Sequence, residues 1–376
     1  MIQKTKRGRG SLGKVRELME KLNITKPLLV TGNTLAPVFY EKALPEAECV
    51  RFSGYHPNPA WEDVAAAVAL YRENGCDGII SLGGGSAMDT AKSVKAILLA
   101  GGDEEKAKVC DFGQGTVPHI AIPATAGTGS EATQFAVMYF GGKKHTLTHP
   151  ALLPDGVILD ASLLDTLPEY HKKAAALDAL CQGIESFWAV AATEDSQVDA
   201  FLAVIGMLDN VRGYLAGDPN AAEGMLEAAY RGGRAIQVSR TTAAHAMSYG
   251  IAAATGIAHG HACALTLPWL WEAMVNNEDV LPTLMDLAAK MRLGSELVVP
   301  RFLSGMLIEL GMEPPEMPED AVLDALTKTV NPQRLTNHPA PLTEEDLRRI
   351  YRCAFIRKKG AERQACIDIW KYYGQG

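Results

Sequence analysis

Along the first 160 residues, short apolar runs alternate with longer stretches whose apolar positions recur at helical spacing. The pattern predicts an amphipathic helix over 11–23, then an apolar strand Pro27–Thr31 that ends in Gly32-Asn33. A second strand over Cys49–Phe52 leads into the stiff turn His56-Pro57-Asn58-Pro59, and a helix follows from Trp61 to Asn74. Asp77–Leu82 reads as a buried strand that runs into Gly83-Gly84-Gly85-Ser86 and a helix through Met88–Leu99. His119–Pro123 is another strand, closed by the hydroxyl- and glycine-rich loop Ala124–Ser130. Phe135–Phe140, Gly141-Gly142 and Lys143–Leu147 form a hairpin excursion before a returning strand, Gly156–Asp160. Strands alternating with helices imply a parallel sheet covered on both faces. In such sheets ligands bind at the carboxyl ends of the strands, where these loops fall. Beyond about 160 the pattern is helical to the C-terminus, with Pro-punctuated loops at Pro314–Pro318 and over 331–341. The expectation is an α/β domain over 1–160 followed by an all-α domain over 161–376.

A chain of 376 residues can bury two full cores. Its net charge of −8 argues against a protein that neutralises nucleic-acid phosphates. Seven scattered cysteines without a Cys-x-x-Cys pair read as reduced thiols, so a cytoplasmic protein is expected. The basic N-terminus has no apolar run behind it, so no signal peptide is expected, and no stretch of about 18 apolar residues suggests a membrane span.

Two groups of residues carry candidate chemistry. Gly83-Gly84-Gly85-Ser86 opens a helix, so its backbone N–H groups and the helix's positive end suit a phosphate; the same glycines also suit a bare packing turn. Thr125–Ser130 is a second such loop, and two loops on one sheet favour a dinucleotide. In the second half, Asp178 and Gln182 are one helical turn apart and share a face. His245 and His259 would be ~21 Å apart on one straight helix. Gly250 and Gly256, between them, can break it and let the chain fold back. Asp178, Gln182, His245 and His259 can then surround one divalent cation. Equally, they fit a helix-terminal acid, a surface amide and two satisfied buried histidines.

The motifs Gly83–Lys92, Pro123–Glu131, Asp178-Ala-Leu-x-x-x-Ile-Glu185 and His245…His259-Gly260, in that order over nearly the whole chain, resemble the iron-dependent (group III) alcohol dehydrogenases. The resemblance implies an NAD(P)-binding α/β domain, a helical domain that holds Fe²⁺ or Zn²⁺, and a homodimer or larger homo-oligomer. It assigns the pyrophosphate to Gly83–Ser86, and cofactor-lining positions to Asp89, Thr125, Thr128, Ser130 and Lys144. Where the family's second metal ligand is His, this chain has Gln182, a weaker neutral donor; where a further His is common, it has Tyr249.

Gly141–Pro150, Ala179–Gln182 and Ser239–His245 are similar to reductases of phosphonoacetaldehyde and related two-carbon anionic aldehydes, such as sulfoacetaldehyde. Arg240 offers a planar fork to a tetrahedral oxyanion, with Lys143, His145, Thr241 and Thr242 as further donors; Arg240 equally suits an ordinary ion pair. For the proton that follows hydride transfer, His261, Tyr249 or a water relayed through the cofactor ribose are the candidates. Gly32 stands where the family carries an acid that binds the adenosine ribose, so with Asn33 it lines the cofactor and leaves NADH and NADPH both usable. A neutral-alcohol or polyol dehydrogenase and a nucleotide-binding scaffold with a degraded metal site are the competing expectations.

Overall fold

Period-two alternation inside the short apolar runs determines which face each residue of the sheet covers. The computed structural model describes residues 3–56, 59–141 and 143–373. Its strands are β1 (Lys4–Arg7), β2 (Pro27–Thr31), β3 (Val50–Phe52), β4 (Gly78–Gly83), β5 (His119–Pro123), β6 (Phe135–Phe140), β7 (Lys143–Thr148) and β8 (Gly156–Leu159). Six of them form one parallel sheet in the order β1-β8-β5-β4-β2-β3, and β6 and β7 pair antiparallel. Strands β2, β4, β5 and β8 are buried along their whole length. Leu28, Val30 and Ile79 pack on one face with Val64, Val68 and Val94, whereas Leu29, Ile80 and Leu82 pack on the other with Leu12, Leu18 and Phe39. Val64 and Val68 belong to α3 (Trp61–Glu73) and Val94 to α4 (Gly85–Leu99); Leu18 belongs to α1 (Val15–Leu22), Phe39 to α2 (Ala36–Lys42), and Leu12 to the turn just before α1.

The polar segment Lys4-Thr5-Lys6-Arg7 was not expected to be a strand. It pairs with β8 at the sheet's edge, where no apolar alternation is required and charged side chains are an advantage. The expected helix over 11–23 begins as a 3₁₀ turn, Ser11–Lys14, before α1. The turn residues Pro57 and Asn58, and Gly142 of the hairpin, lie outside the described residues.

Sheet order creates a site. From β2 the chain moves outward to β3 and then returns to the opposite side of β2 as β4. The strand direction of progress therefore reverses between β2 and β4, and a crevice opens outside their carboxyl ends, a topological switch point. Gly32-Asn33 and Gly83–Ser86 are the two segments that leave those ends.

The chain divides into two compact units, Met1–Leu167 and Pro168–Gly376. The short turn Ala161–Leu164 stays with the first because Asp160 ties it there: its carboxylate accepts from Gly10 N (3.1 Å), Leu12 N (2.9 Å) and Ser162 N (3.0 Å). After α5 (Glu104–Lys108) all remaining helices belong to the second unit: α6 (Glu169–Trp188), α7 (Glu194–Leu215), α8 (Pro219–Ser239), α9 (Ala243–Thr255) and α10 (His259–Met274). They are followed by α11 (Leu281–Lys290), α12 (Val299–Glu309), α13 (Asp320–Thr329), α14 (Pro332–Leu335), α15 (Glu344–Ala354) and α16 (Gly360–Tyr372). Among the described residues no helix is long and apolar enough to cross a membrane.

Where α12 meets α16 the backbones nearly touch. A Cβ at Gly305 would lie 2.0 Å from the carbonyl oxygen of Cys366, which belongs to backbone and cannot swing away. Gly305→Ala should therefore cost about 1–3 kcal/mol, read as a lower urea midpoint at unchanged slope.

Candidate metal centre

Helices α6, α9 and α10 bring the candidate ligands together. On α6, Asp178, Gln182 and Glu185 fall at i, i+4 and i+7, so all three share a face, and each is at most 4% exposed. His245 lies in the first turn of α9. That helix ends at Gly256 in the left-handed conformation (φ 73°), Ala258 is extended, and His259 opens α10. The expected reversal therefore occurs at Gly256 alone. Gly250 stays helical and serves packing instead, since a Cβ there would meet Leu326 Cδ2 at 2.9 Å.

Folding back places His245 Nε2 at 3.3 Å and His259 Nε2 at 4.0 Å from Asp178 Oδ1. Cys263, one turn after His259, brings its Sγ to 3.7 Å from His259 Nε2. One ligand-type atom from each of Asp178, His245, His259 and Cys263 lies within 4.8 Å of the others. The approach depends on Gly260: a Cβ there would come within 2.1 Å of Ala174 O and 2.6 Å of Asp178 Cβ. Only a glycine lets α10 lie this close to α6.

The other ring nitrogens are already committed. His245 Nδ1 bonds Glu185 Oε2, a fully buried carboxylate. Glu185 Oε1 also accepts from Thr242 N (3.0 Å), Thr242 Oγ1 (2.6 Å) and Ala244 N (2.8 Å), the first turn of α9. His259 Nδ1 lies 3.1 Å from Ser248 Oγ, whose own proton goes to His245 O at 2.9 Å. Ser248 must then accept from His259, so Nδ1 carries the hydrogen and Nε2 presents its lone pair to the cluster. Burial would pull the His245 imidazole down, but Glu185 and Asp178 outweigh it and raise its pKa to about 9. Burial likewise works against ionised Asp178, and the two imidazoles more than offset it, so its pKa is lowered.

This arrangement fits a divalent cation. Asp178 Oδ1 and His245 Nε2 are buried, face each other at 3.3 Å and have no further hydrogen-bond partner, so a cation between them would satisfy both. Both imidazoles are oriented through Nδ1 by a second group, one of them a carboxylate, as metal-binding histidines are. The His245 ring bridges the buried carboxylates of Asp178 and Glu185.

The remaining expected residues take varied places. Gln182 is buried, its amide oxygen turned toward Gly232 of α8, where a Cβ would come within 3.4 Å. Tyr249 stacks its ring on His259 (5.2 Å, 31°) and accepts from Arg334 Nη1 at 3.1 Å. Arg334 itself was not anticipated; nothing in the sequence ties it to α9. His261 has both ring nitrogens engaged. Ala258 N donates to Tyr170 Oη (2.9 Å), so the tyrosine's proton faces His261 Nδ1 (3.3 Å), and His261 Nε2 donates to Met312 O (2.9 Å). Both ring nitrogens are used to fasten α6, α10 and the loop after α12. Thr242 is fully buried, and its Oγ1 accepts from Trp188 Nε1 at 3.0 Å. Thr241 O accepts from Asn337 Nδ2 at 3.1 Å.

In the first unit, Gly83 closes β4 with φ 157°, and a Cβ at Gly84 or Gly85 would meet Thr125 Cγ2 (3.2 Å) or Thr128 Cγ2 (3.1 Å). The two expected loops thus pack on each other at the N-terminus of α4, with Ser86 in its first turn. Lys92, fully buried, locks this junction by donating to Ser130 O (2.6 Å), Ser130 Oγ (2.9 Å), Thr133 Oγ1 (3.0 Å) and Phe135 O (2.8 Å). Asp89 accepts from Ser130 Oγ (3.3 Å) and Val137 N (3.2 Å); burial raises its pKa against the pull of Lys92 and Lys144. His145, on β7, packs edge-on against Phe140 (5.0 Å), and the side chain of Lys143 lies outside the described residues. Arg51, remote in sequence, bonds Asn33 Oδ1, because β3 pairs with β2 and sets Arg51 opposite Leu29. Tyr55 Oη covers the same crevice, 3.8 Å from where a Cβ would stand at Gly32 or at Gly83.

Family models described as iron-containing alcohol dehydrogenase and as its C-terminal part match residues 3–161 and 173–355. A probable alcohol dehydrogenase, EutG, of Escherichia coli is 41% identical over 221 residues, which are 57% of this chain and 55% of that protein. A phosphonoacetaldehyde reductase of Streptomyces viridochromogenes is 37% identical over 227 residues, 56% of this chain and 57% of that protein. The matched stretch thus spans little more than half the length of these relatives. Among solved structures, sulfoacetaldehyde reductase from Bifidobacterium kashiwanohense in complex with NAD⁺ has a TM-score of 0.85 at 25% identity, covering 94% of this chain and 97% of that one.

If Glu185 orients His245 for a cation, Glu185→Gln should weaken zinc binding by about 10–100-fold. Competition against a chromophoric chelator measures this, and unchanged affinity would remove Glu185 from that role.

Proposed function

Because the chain belongs to the iron-containing alcohol dehydrogenase family, we propose that it reduces a small aldehyde bearing a tetrahedral anionic group, phosphonate or sulfonate, with NAD(P)H and one divalent cation. Asp178, His245 and His259 would hold the cation, and the loops at the β2–β4 switch point would hold the nucleotide. When bound, the cation supplies electrophilic polarisation of a carbonyl oxygen and the reduced nicotinamide supplies hydride.

The observation that carries the substrate class is the backbone at Arg240. This residue follows α8 with φ 63° and ψ −177°, a region that is essentially reserved for glycine and costs about 1–3 kcal/mol for other residues. Neighbouring groups pin it there. Asn337 Nδ2 donates to Ser239 O (2.8 Å) and Thr241 O (3.1 Å), Ser239 Oγ donates to Arg240 O (3.0 Å), and Glu185 receives the Thr242 N–H. Strain maintained this way at an arginine, where glycine would be strain-free, supports a role for the side chain itself. Burial and the neighbouring Arg334 lower the Arg240 pKa, so two guanidinium groups stand close together. A dianion or sulfonate between them would relieve their repulsion. The proximity of Arg334 to Tyr249, and of Tyr249 to His259, connects this basic pair to the cation ligands.

With both nitrogens of His261 in use, Tyr249 is the protein group left to hold the product-side proton. Burial raises its pKa, and Arg334 donates to its oxygen, which leaves the phenol proton directed elsewhere. At the nucleotide end, Arg51 supports acceptance of NADPH, since its guanidinium stands beside Asn33 where a 2′-phosphate would need a cation.

Arg240→Gly separates side-chain function from backbone strain. The variant should fold at no cost in stability while KM for phosphonoacetaldehyde or sulfoacetaldehyde rises about 10²-fold and propionaldehyde turnover is spared. Equal losses for charged and neutral aldehydes would sink the anionic-substrate reading and favour a general alcohol dehydrogenase. For the nucleotide, Arg51→Ala should raise KM for NADPH about tenfold or more and leave NADH nearly unchanged. Parallel assays that found wild-type NADPH inert at millimolar levels would end the dual-cofactor reading.

A further inference from the structure

Cys263 is a buried thiol to which the sequence reading gave no role. Its Sγ lies 3.7 Å from His259 Nε2 and belongs to the same group of four ligand-type atoms as Asp178, His245 and His259, all within 4.8 Å. Tetrahedral coordination with bonds of ~2.0 Å to nitrogen or oxygen and ~2.3 Å to sulfur sets N and O about 3.3 Å apart, and N and S about 3.5 Å apart. The structure has 3.3 Å for His245 Nε2 to Asp178 Oδ1, 3.7 Å for His259 Nε2 to Cys263 Sγ, and 4.0 Å for His259 Nε2 to Asp178 Oδ1. The first two separations match tetrahedral spacing and the third exceeds it by less than 1 Å.

Two further observations point the same way. Asp178 Oδ1 and His245 Nε2, each on a residue 96% buried, face each other at 3.3 Å within this group and have no hydrogen-bond partner outside it. Helix geometry accounts for the pairing of the other two: His259 and Cys263 stand at i and i+4 on α10, whose close approach to α6 is secured by Gly260.

We propose that Cys263 binds the cation as a thiolate, completing an Asp-His-His-Cys set, and that this makes the centre a zinc site in preference to an iron one. On binding M²⁺, the S–H bond of Cys263 breaks, its electron pair goes to the metal and its proton to solvent; no redox change occurs. A carboxylate and a thiolate together neutralise a divalent ion. Thiolate is also a softer donor than imidazole or amide oxygen, which favours Zn²⁺ over Fe²⁺ beyond the ordinary ordering of affinities.

This inference rests on the reading that the helical unit holds a divalent cation, and the test distinguishes the two. The metal-free full-length protein would be loaded with Zn²⁺ and examined by zinc-edge X-ray absorption, then with Co²⁺ and examined by absorption spectroscopy. Expected are one sulfur scatterer at ~2.3 Å and a sulfur-to-cobalt charge-transfer band, both lost in Cys263→Ser and kept in Cys181→Ser. Cys263→Ser should also lose on the order of a hundredfold in zinc affinity. From an anaerobic equimolar mixture of Zn²⁺ and Fe²⁺ the wild type should retain zinc. Stoichiometric metal with a shell of nitrogen and oxygen only would overturn the thiolate ligand and leave the cation reading intact. Failure to take up any metal would overturn both.

Discussion

One carboxylate without access to water, that of Glu185, holds the helical unit's site in register. A fully buried charge is tolerable only when hydrogen bonds and opposite charge replace its hydration. Glu185 obtains both from the start of α9: three backbone N–H groups at 3.0, 2.8 and 3.4 Å, the Thr242 hydroxyl at 2.6 Å, and the imidazole of His245. The positive end of α9 adds to the same effect. Because one side chain of α6 serves all these donors, it fixes where α9 begins and which nitrogen of His245 faces Asp178. Removing a single partner from such a buried set would leave a charge uncompensated, typically a loss of 3–5 kcal/mol. The site therefore has little freedom to drift.

Close backbone approach is the second constraint, and glycine provides it. Gly260 lets α10 approach α6 near Asp178, and Gly84 and Gly85 let the second loop of the sheet unit rest on the first. In both places the side chain that is absent matters as much as those present. The strained Arg240 is the converse: a residue with a large side chain occupies a conformation suited to glycine, pinned by Asn337 and Ser239. Placing a guanidinium there is compatible with folding because the surrounding bonds over-determine the peptide.

Buried lysine and histidine chemistry supplies the remaining order. Lys92 satisfies four acceptors from one loop and the start of β6, which is why a cation can sit inside the sheet unit at all. His261 passes a chain of hydrogen bonds from Ala258 through Tyr170 to Met312. Both residues stand in motifs that carry chemistry, and both are engaged in hydrogen bonds that hold segments together. A titratable side chain beside a site needs its hydrogen bonds counted before it is given a proton to move.

Much of this was legible in the chain before any fold was known. Alternation and glycine punctuation marked the central strands β2, β4, β5 and β8 and the loops at their ends, because buried strands must be apolar and tight turns must be small. The helical spacing of Asp178, Gln182 and Glu185 likewise follows from local geometry. The Cys263 spacing from His259 was equally local and could have been read. What the sequence could not reveal depends on contacts between distant segments. The polar edge strand β1 forms only because β8 offers it hydrogen bonds; Arg51 reaches Asn33 only because β3 lies beside β2; Arg334 reaches Tyr249 from a different helix. Local periodicity reports which face of an element is apolar, whereas the partner that each polar atom finds is decided only when the elements pack.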